Sequence, residues 1–145
     1  MHQNEQQKSA FPGTPEEFTR FGEGRLPGLL GVRILLTTQA ELQAELDVRA
    51  ELFAPNGYLH AATSVALADS LCGYGCILNL PEGAIGFTTI ELKTNFLGTA
   101  REGTIQCGAH PVHLGRSTHV WDAKVQAAGR AIALFRCTQL ILFPR

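Results

Sequence analysis

HAATSVALADSLCGYGCILNL, residues 60–80, carries a single formal charge, that of Asp69. The stretch is long enough to cross a bilayer. It also holds Gly73 and Gly75, the hydroxyls of Thr63, Ser64 and Ser70, and Asn79. An acid near the middle of a lone membrane span is costly. The conflict disappears if the stretch is a helix buried on nearly all sides by its own protein. That reading decides the fold, because the rest of the chain must then supply the cover.

Upstream, Ala54-Pro55-Asn56-Gly57 breaks the chain before the helix. Before that break, Leu42, Ala44, Leu46, Val48, Ala50 and Leu52 alternate with Gln43, Glu45, Asp47, Arg49 and Glu51. A period of two predicts a strand over 42–52 with one buried and one wet face, as in an antiparallel sheet. Leu30 to Thr38 reads as another strand. Further back, Thr14-Pro15-Glu16-Glu17 is a helix start: Thr14 caps, Pro15 suits the first position and Glu17 completes a capping box. Phe18 and Phe21 share a face of that short helix, and Gly22 to Gly28 ends it.

Downstream, Pro81-Glu82-Gly83 stops the long helix. Four strand-like runs follow, Gly86–Leu97, Gly103–His113, Ser117–Ala127 and Arg130–Phe143, with Ala128-Gly129 as a tight turn between the last two. One helix cannot cover both faces of a free sheet. A curved antiparallel sheet wrapped around one long buried helix solves the burial problem. The expectation is therefore an α+β chain of the hotdog fold with a short N-terminal helix. Residues 1–12 read as a flexible tail and 13–145 as one domain. The outer sheet face needs solvent or a second subunit, and Trp121 and Val125 are expected to offer apolar contacts there.

Composition limits the function. The chain has 145 residues, 45% of them hydrophobic and 17% charged, with a net charge of −1. One globular domain follows, and neither a nucleic-acid partner nor a membrane surface is expected. Cys72, Cys76, Cys107 and Cys137 lie in apolar segments with no CxxC pair, so they read as reduced core residues. Met1 to Ala10 is polar and lacks the apolar stretch of a signal peptide, which gives a cytoplasmic expectation. His110-x-x-His113 is interrupted by Pro111, and its side chains are expected on opposite strand faces; no metal site is expected. There is no Gly-x-Ser-x-Gly elbow, phosphate loop or dinucleotide fingerprint.

Asp69 carries the chemistry. Its helical neighbours are Val65, Ala66, Cys72 and Gly73, and a carboxylate there is costly unless paired. Desolvation should push its pKa upward, as it does for many acids in functional clefts. The alternative is a structural Asp satisfied by a hydroxyl such as Ser70. His60-Ala61-Ala62 stands at the helix start, where the first N–H groups lack internal partners and form a positive end. Small side chains at Ala61 and Ala62 let a polarised carbonyl approach. His60 alone reads as a residue that orders the preceding loop. His60 and Asp69 are about 13.5 Å apart along an ideal helix, too far for a direct dyad. Two antiparallel helices in a dimer would bring one chain's Asp69 to the other's helix start.

The stretch Pro55-Asn56-Gly57-Tyr58-Leu59-His60-Ala61-Ala62-Thr63-Ser64-Val65-Ala66-Leu67-Ala68-Asp69-Ser70 resembles the phenylacetate-degradation type of hotdog thioesterases. Relatives in that family act on 4-hydroxybenzoyl-CoA and 1,4-dihydroxy-2-naphthoyl-CoA. The hallmark is Gly-x-x-His-Gly-Gly followed, nine residues after the His, by Asp or Glu in an apolar helix. Gly57, His60 and Asp69 match it, and the resemblance spans roughly residues 27–143. It implies hydrolysis of an aryl- or medium-chain acyl-CoA to the free acid and CoA, with no cofactor, since coenzyme A is part of the substrate. It implies Asp69 as general base or nucleophile, the Ala61 N–H as oxyanion donor and His60 as the residue that orders the turn. Thr88 resembles a hydroxyl position that orients water or substrate; an ordinary strand threonine is the competing reading. Lys93-Thr94-Asn95-Phe96-Leu97 looks like the family's central strand, whose end borders the pantetheine tunnel, with Asn95 and Phe96 at the substrate. His113-Leu114-Gly115-Arg116-Ser117-Thr118 resembles the nucleotide-side turn, where Gly115 frees N–H groups and Arg116 meets a phosphate. The implied assembly is a homotetramer built as a dimer of dimers.

Three departures bear on specificity. Ala61-Ala62 replaces Gly-Gly. Ala54 stands where relatives often carry Asn or Gln, with Asn56 as a substitute two residues later. Gly73, one turn after Asp69, stands where some aryl-CoA thioesterases carry Ser or Thr. Ala62, Ala66 and Gly73 suggest room beside the helix. The rival readings are a hotdog enoyl-CoA hydratase or dehydratase and a non-catalytic acyl-CoA-binding domain.

Overall fold

The structure, a computed structural model, describes residues 11–145. The expected tail lies outside the described residues through position 10. Among the described residues the elements are α1 (Pro15–Phe21), α2 (Leu26–Leu30), β1 (Arg33–Thr37), β2 (Leu42–Asp47), a 3-10 turn (Ala50–Leu52), α3 (Ala61–Leu78), β3 (Gly86–Phe96), β4 (Thr104–Leu114), β5 (Thr118–Ala127) and β6 (Arg130–Leu142). The strands form one antiparallel sheet in the order β1-β2-β4-β5-β6-β3, so the strand through Lys93–Phe96, expected to be central, is an edge that pairs with β6 alone. It wraps α3, which touches β2, β4, β5, β6 and β3. This is the expected hotdog architecture.

The long apolar stretch is the core helix. Leu67, Ala68, Leu71, Cys72 and Cys76 are sealed from solvent. Burying a leucine-sized side chain contributes about 1.5–3 kcal/mol. Asn79 ends α3 by donating from Nδ2 to the Gly75 carbonyl at 2.9 Å and the Gln39 carbonyl at 3.0 Å. Gln139 Nε2, buried on β6, donates to the Cys72 carbonyl at 3.0 Å and ties the helix to the sheet. All four cysteines are buried free thiols, and burial pushes those of Cys76 and Cys107 up to about 12.

At the N-terminus, Thr14 caps α1 by accepting the Glu17 N–H at 3.2 Å. Phe18 and Phe21 both turn to Tyr74 of α3, with ring centres 4.7 Å and 6.1 Å away. The glycine-rich stretch after α1 is not only a terminator. Pro27 falls in the first turn of α2, where its missing N–H costs nothing. The strand expected from Leu30 therefore begins at Arg33.

Strand β2 is shorter than its alternation suggests. Asp47 pairs with Thr104, the first residue of β4; the Val48 N–H still donates to the Gly103 carbonyl at 2.8 Å, and the chain then turns into the 3-10 turn at Ala50. The phase of β5 also corrects an expectation. Trp121, Ala123 and Val125 face the helix and are buried, while Asp122, Lys124 and Gln126 alternate with them on the outside. The physical reason is volume: the indole fills the space under α3 and lies against Gly75. A Cβ on Gly75 would stand 2.4 Å from Trp121 Cη2. A bulge near Val112 sets His113 opposite Val120, in step with His110 opposite Asp122, so these histidines do not face opposite ways.

Candidate active site

The loop before α3 is built to present the start of the helix. Gly57 has φ +84, a conformation side chains resist. The Gly57 N–H donates to the Ala54 carbonyl at 3.0 Å, and the Ala54 N–H to the Tyr58 carbonyl at 2.7 Å. Asn56 Oδ1 accepts the Tyr58 N–H at 3.2 Å, so this side chain is engaged in the turn. His60 is the helix cap: its N–H donates to the Leu52 carbonyl at 2.9 Å and its Nδ1 accepts the Ala62 N–H at 3.0 Å. The Thr63 N–H reaches the His60 carbonyl at 2.9 Å. Among the described residues this leaves the Ala61 N–H as the uncommitted donor of the first turn. Ala61 and Ala62 are both exposed. The turn thus holds one amide, with the positive end of an 18-residue helix behind it, open to an incoming oxygen.

Asp69 lies two turns further along, half-buried. Its Oδ1 is shut from solvent and accepts no hydrogen bond among the described residues, from Ser70 or elsewhere. Burial raises its pKa, and the hydroxyl of Thr89 opposes part of that rise by favouring the ionised form. The carboxylate opens onto a cavity of about 350 Å³. A structural aspartate would have its oxygens occupied; this one has an unused oxygen and a space beside it. Ala61 and Asp69 are about 12 Å apart along one helix, so they cannot act together within one chain.

The hydroxyl nearest Asp69 is Thr89, not Thr88. Phe87 and Thr89 pair with Ile141 and Gln139, both buried under the helix, while Thr88 pairs with exposed Leu140 and points the other way. Two adjacent threonines look alike in sequence; the alternation anchored on Phe87 was the signal that separates them. Asn95 is displaced for a related reason. A bulge between Thr89 and Glu91 inserts Ile90 and reverses the phase, so Thr94 and Phe96 face the helix side and Asn95 faces outward. Asn95 lines a larger hollow of about 950 Å³ on the opposite sheet face, with Lys93, Lys124 and Arg136. Asp69 has no access to that hollow, so size does not make it the reaction site. Phe96 is 48% exposed at the sheet edge.

Gly73 borders the Asp69 cavity, but the room it leaves is taken by Phe87, whose Cζ would lie 2.9 Å from an added Cβ. The nucleotide-side turn also differs from expectation. The Gly115 N–H is not free, because it donates to the Thr118 carbonyl at 2.9 Å. A Cβ there would stand 2.6 Å from His113 Nε2 and 3.0 Å from the Thr118 carbonyl, so a larger residue would have to push the His113 ring aside. Arg116 is exposed, with its guanidinium 4.5 Å over the Phe143 ring and Nη1 3.4 Å from the Glu82 carbonyl. It remains open to an anion. Ser117 uses its carbonyl to accept the Ile141 N–H at 2.9 Å and is otherwise exposed.

The family model of the Thioesterase superfamily matches residues 56–133, which run from the turn before α3 into β6. The chain belongs to that superfamily. Within it, a 1,4-dihydroxy-2-naphthoyl-CoA hydrolase from Escherichia coli (strain K12) is 32% identical over 133 residues, 89% of this chain and 95% of the relative. A crystallised mutant of the thioesterase PA1618 from Pseudomonas aeruginosa is 29% identical with a TM-score of 0.84, covering 89% of this chain and 94% of that one. The thioesterase HI1161 from Haemophilus influenzae has the same TM-score at 25% identity, covering 91% and 92%. This member of the thioesterase superfamily is accordingly a thioester hydrolase.

Proposed function

We propose that this thioesterase hydrolyses an aryl- or medium-chain acyl-CoA to the free acid and CoA, in a site shared by two protomers. The observation that carries the reading is Asp69 itself, which lines a cavity beside the free edge of the sheet while its buried Oδ1 has no hydrogen-bond partner among the described residues. Strand β3 forms that edge and leaves Ile90, Leu92 and Phe96 at 58%, 42% and 48% exposure. A long apolar edge invites pairing with a second copy. An antiparallel second copy would set its own α3 beside the first, with its Ala61 N–H near the first chain's Asp69.

In this arrangement the thioester carbonyl oxygen accepts the Ala61 N–H of one chain. Asp69 of the other either takes a proton from water, whose oxygen attacks the carbonyl carbon, or attacks that carbon itself to give an anhydride that water then opens. The C–S bond breaks and CoA leaves as the thiol. Raising the pKa of Asp69 by burial suits a base working near neutral pH. Arg116 is placed to meet a phosphate of the nucleotide, and Phe96 to flank the pantetheine arm. We further propose the phenylacetate-degradation subtype, a cytoplasmic homotetramer and a reaction that needs no cofactor.

Asp69→Asn is the test. It should lower kcat by at least about 10²-fold in a thiol-release assay with the fold intact by circular dichroism. Near-normal turnover would reject Asp69, and a fully active monomer would reject the shared site. An enoyl-CoA hydratase would instead change enoyl absorbance without thiol release.

A further inference from the structure

We infer that the groove between the N-terminal helices and α3 is the acyl-binding site, with Ile77 as its end stop and Phe21 as its outer wall. The inference rests on the thioesterase reading above and adds where the acyl group lies and what chemistry it has. Asp69, Gly73 and Ile77 are four residues apart and share one helix face, and all three line the same cavity of about 350 Å³. Phe21 of α1 and Pro27 of α2 form its far wall, and Phe87 of β3 its side. A cavity of this size falls in the range of small-molecule pockets. The carbonyl carbon must sit near the carboxylate, so the acyl tail has one apolar direction to run, from Asp69 toward Ile77.

The length follows from the helix. Eight residues separate Asp69 from Ile77, a rise of about 12 Å. An extended chain advances about 1.2 Å per bond, so about ten carbons fill the groove. A flat aryl group fits the same slot, between Phe87 on one side and Phe21 and Pro27 on the other. The polarity also selects. The described residues lining the groove include no lysine, arginine or histidine, and the one charge is Asp69. An acyl group with a terminal carboxylate would lie in an apolar slot beside a like charge. The substrate class is therefore a neutral aryl or medium-length acyl thioester, not a dicarboxylic one.

The test is a thiol-release assay of the full chain on straight-chain acyl-CoA esters from four to fourteen carbons, with benzoyl-CoA and succinyl-CoA. The expected kcat/KM rises about three- to fourfold per added CH₂ to about ten carbons and then levels, with succinyl-CoA at least about tenfold below butyryl-CoA. Ile77→Trp should lower the decanoyl-to-butyryl ratio at least about tenfold by shortening the groove. Phe21→Ala, at a side chain 50% exposed, should raise the tetradecanoyl-to-decanoyl ratio, and it carries the same test if the tryptophan variant fails to fold. Robust hydrolysis with a flat length profile, or ratios that neither variant moves, would overturn the acyl site and leave the thioesterase reading standing. No turnover of any ester would overturn both.

Discussion

Ala61→Pro replaces the donor hydrogen of the proposed site with a ring carbon and leaves the helix intact. Ala61 is the first residue of α3, where the backbone N–H has no intrahelical acceptor, so proline breaks no hydrogen bond of the helix. His60 before it has ψ 132, within the range a residue preceding proline adopts. The His60 Nδ1 cap on the Ala62 N–H stays in place. Folding stability should thus hold or rise, as compatible proline substitutions raise it by about 0.4–1 kcal/mol. Catalysis should not hold. Loss of one oxyanion donor costs about 10²–10³ in kcat, or about 2.7–4 kcal/mol of barrier. Because that contact strengthens as charge develops, kcat should fall by at least that factor. The assay is thiol release under saturating ester, beside a thermal melt of the same preparation. A kcat within about threefold of the unmodified protein, with the melt preserved, would refute the assignment of the donor to Ala61.

Two further substitutions probe the frame. Gly75→Ala places a methyl 2.4 Å from the buried indole of Trp121, which has nowhere to move. Despite a gain in helix propensity of about 1 kcal/mol, overpacking should leave the variant about 1–3 kcal/mol less stable in urea unfolding, and equal stability would contradict the packing. Thr89→Val removes the hydroxyl that favours ionised Asp69, so the already raised pKa climbs further. The acid limb of the kcat/KM profile should then move to higher pH. A raised folded-state pKa costs stability as pH rises through it, so the variant's deficit should grow toward alkaline pH and shrink below 3.8, the ordinary aspartate value. A limb that moves down or stays put would remove Thr89 from the site.

Much of this was legible in the chain. A lone carboxylate in an apolar helix, nine residues after His60, pointed to the buried helix and made Asp69 the candidate acid, and the alternation of Leu42 through Leu46 showed the one-sided sheet. What sequence could not carry is phase. The extra residue at Ile90 turns Asn95 from the helix side to the outer face, and nothing in Ile90 itself announces a bulge. Trp121, set among polar neighbours, reads as an outward residue, although the same alternation with Trp121 inward buries far more apolar surface. Gly115 reads as a source of free amides, but its N–H is engaged by the Thr118 carbonyl across the turn. The α2 turn was hidden because Pro27 and the glycines around it read as breakers when Pro27 was an initiator.

The most direct measurement mixes two inactive proteins. Ala61→Pro and Asp69→Asn chains are each prepared separately, then allowed to exchange protomers, with hybrid formation followed by native mass spectrometry. Two-fold symmetry gives every hybrid one doubly impaired site and one intact site, so random mixing should restore about a quarter of the unmodified activity per chain. Hybrids that form and stay as inactive as their parents would show that the two groups belong to the same chain's site, and the shared-site account would be wrong.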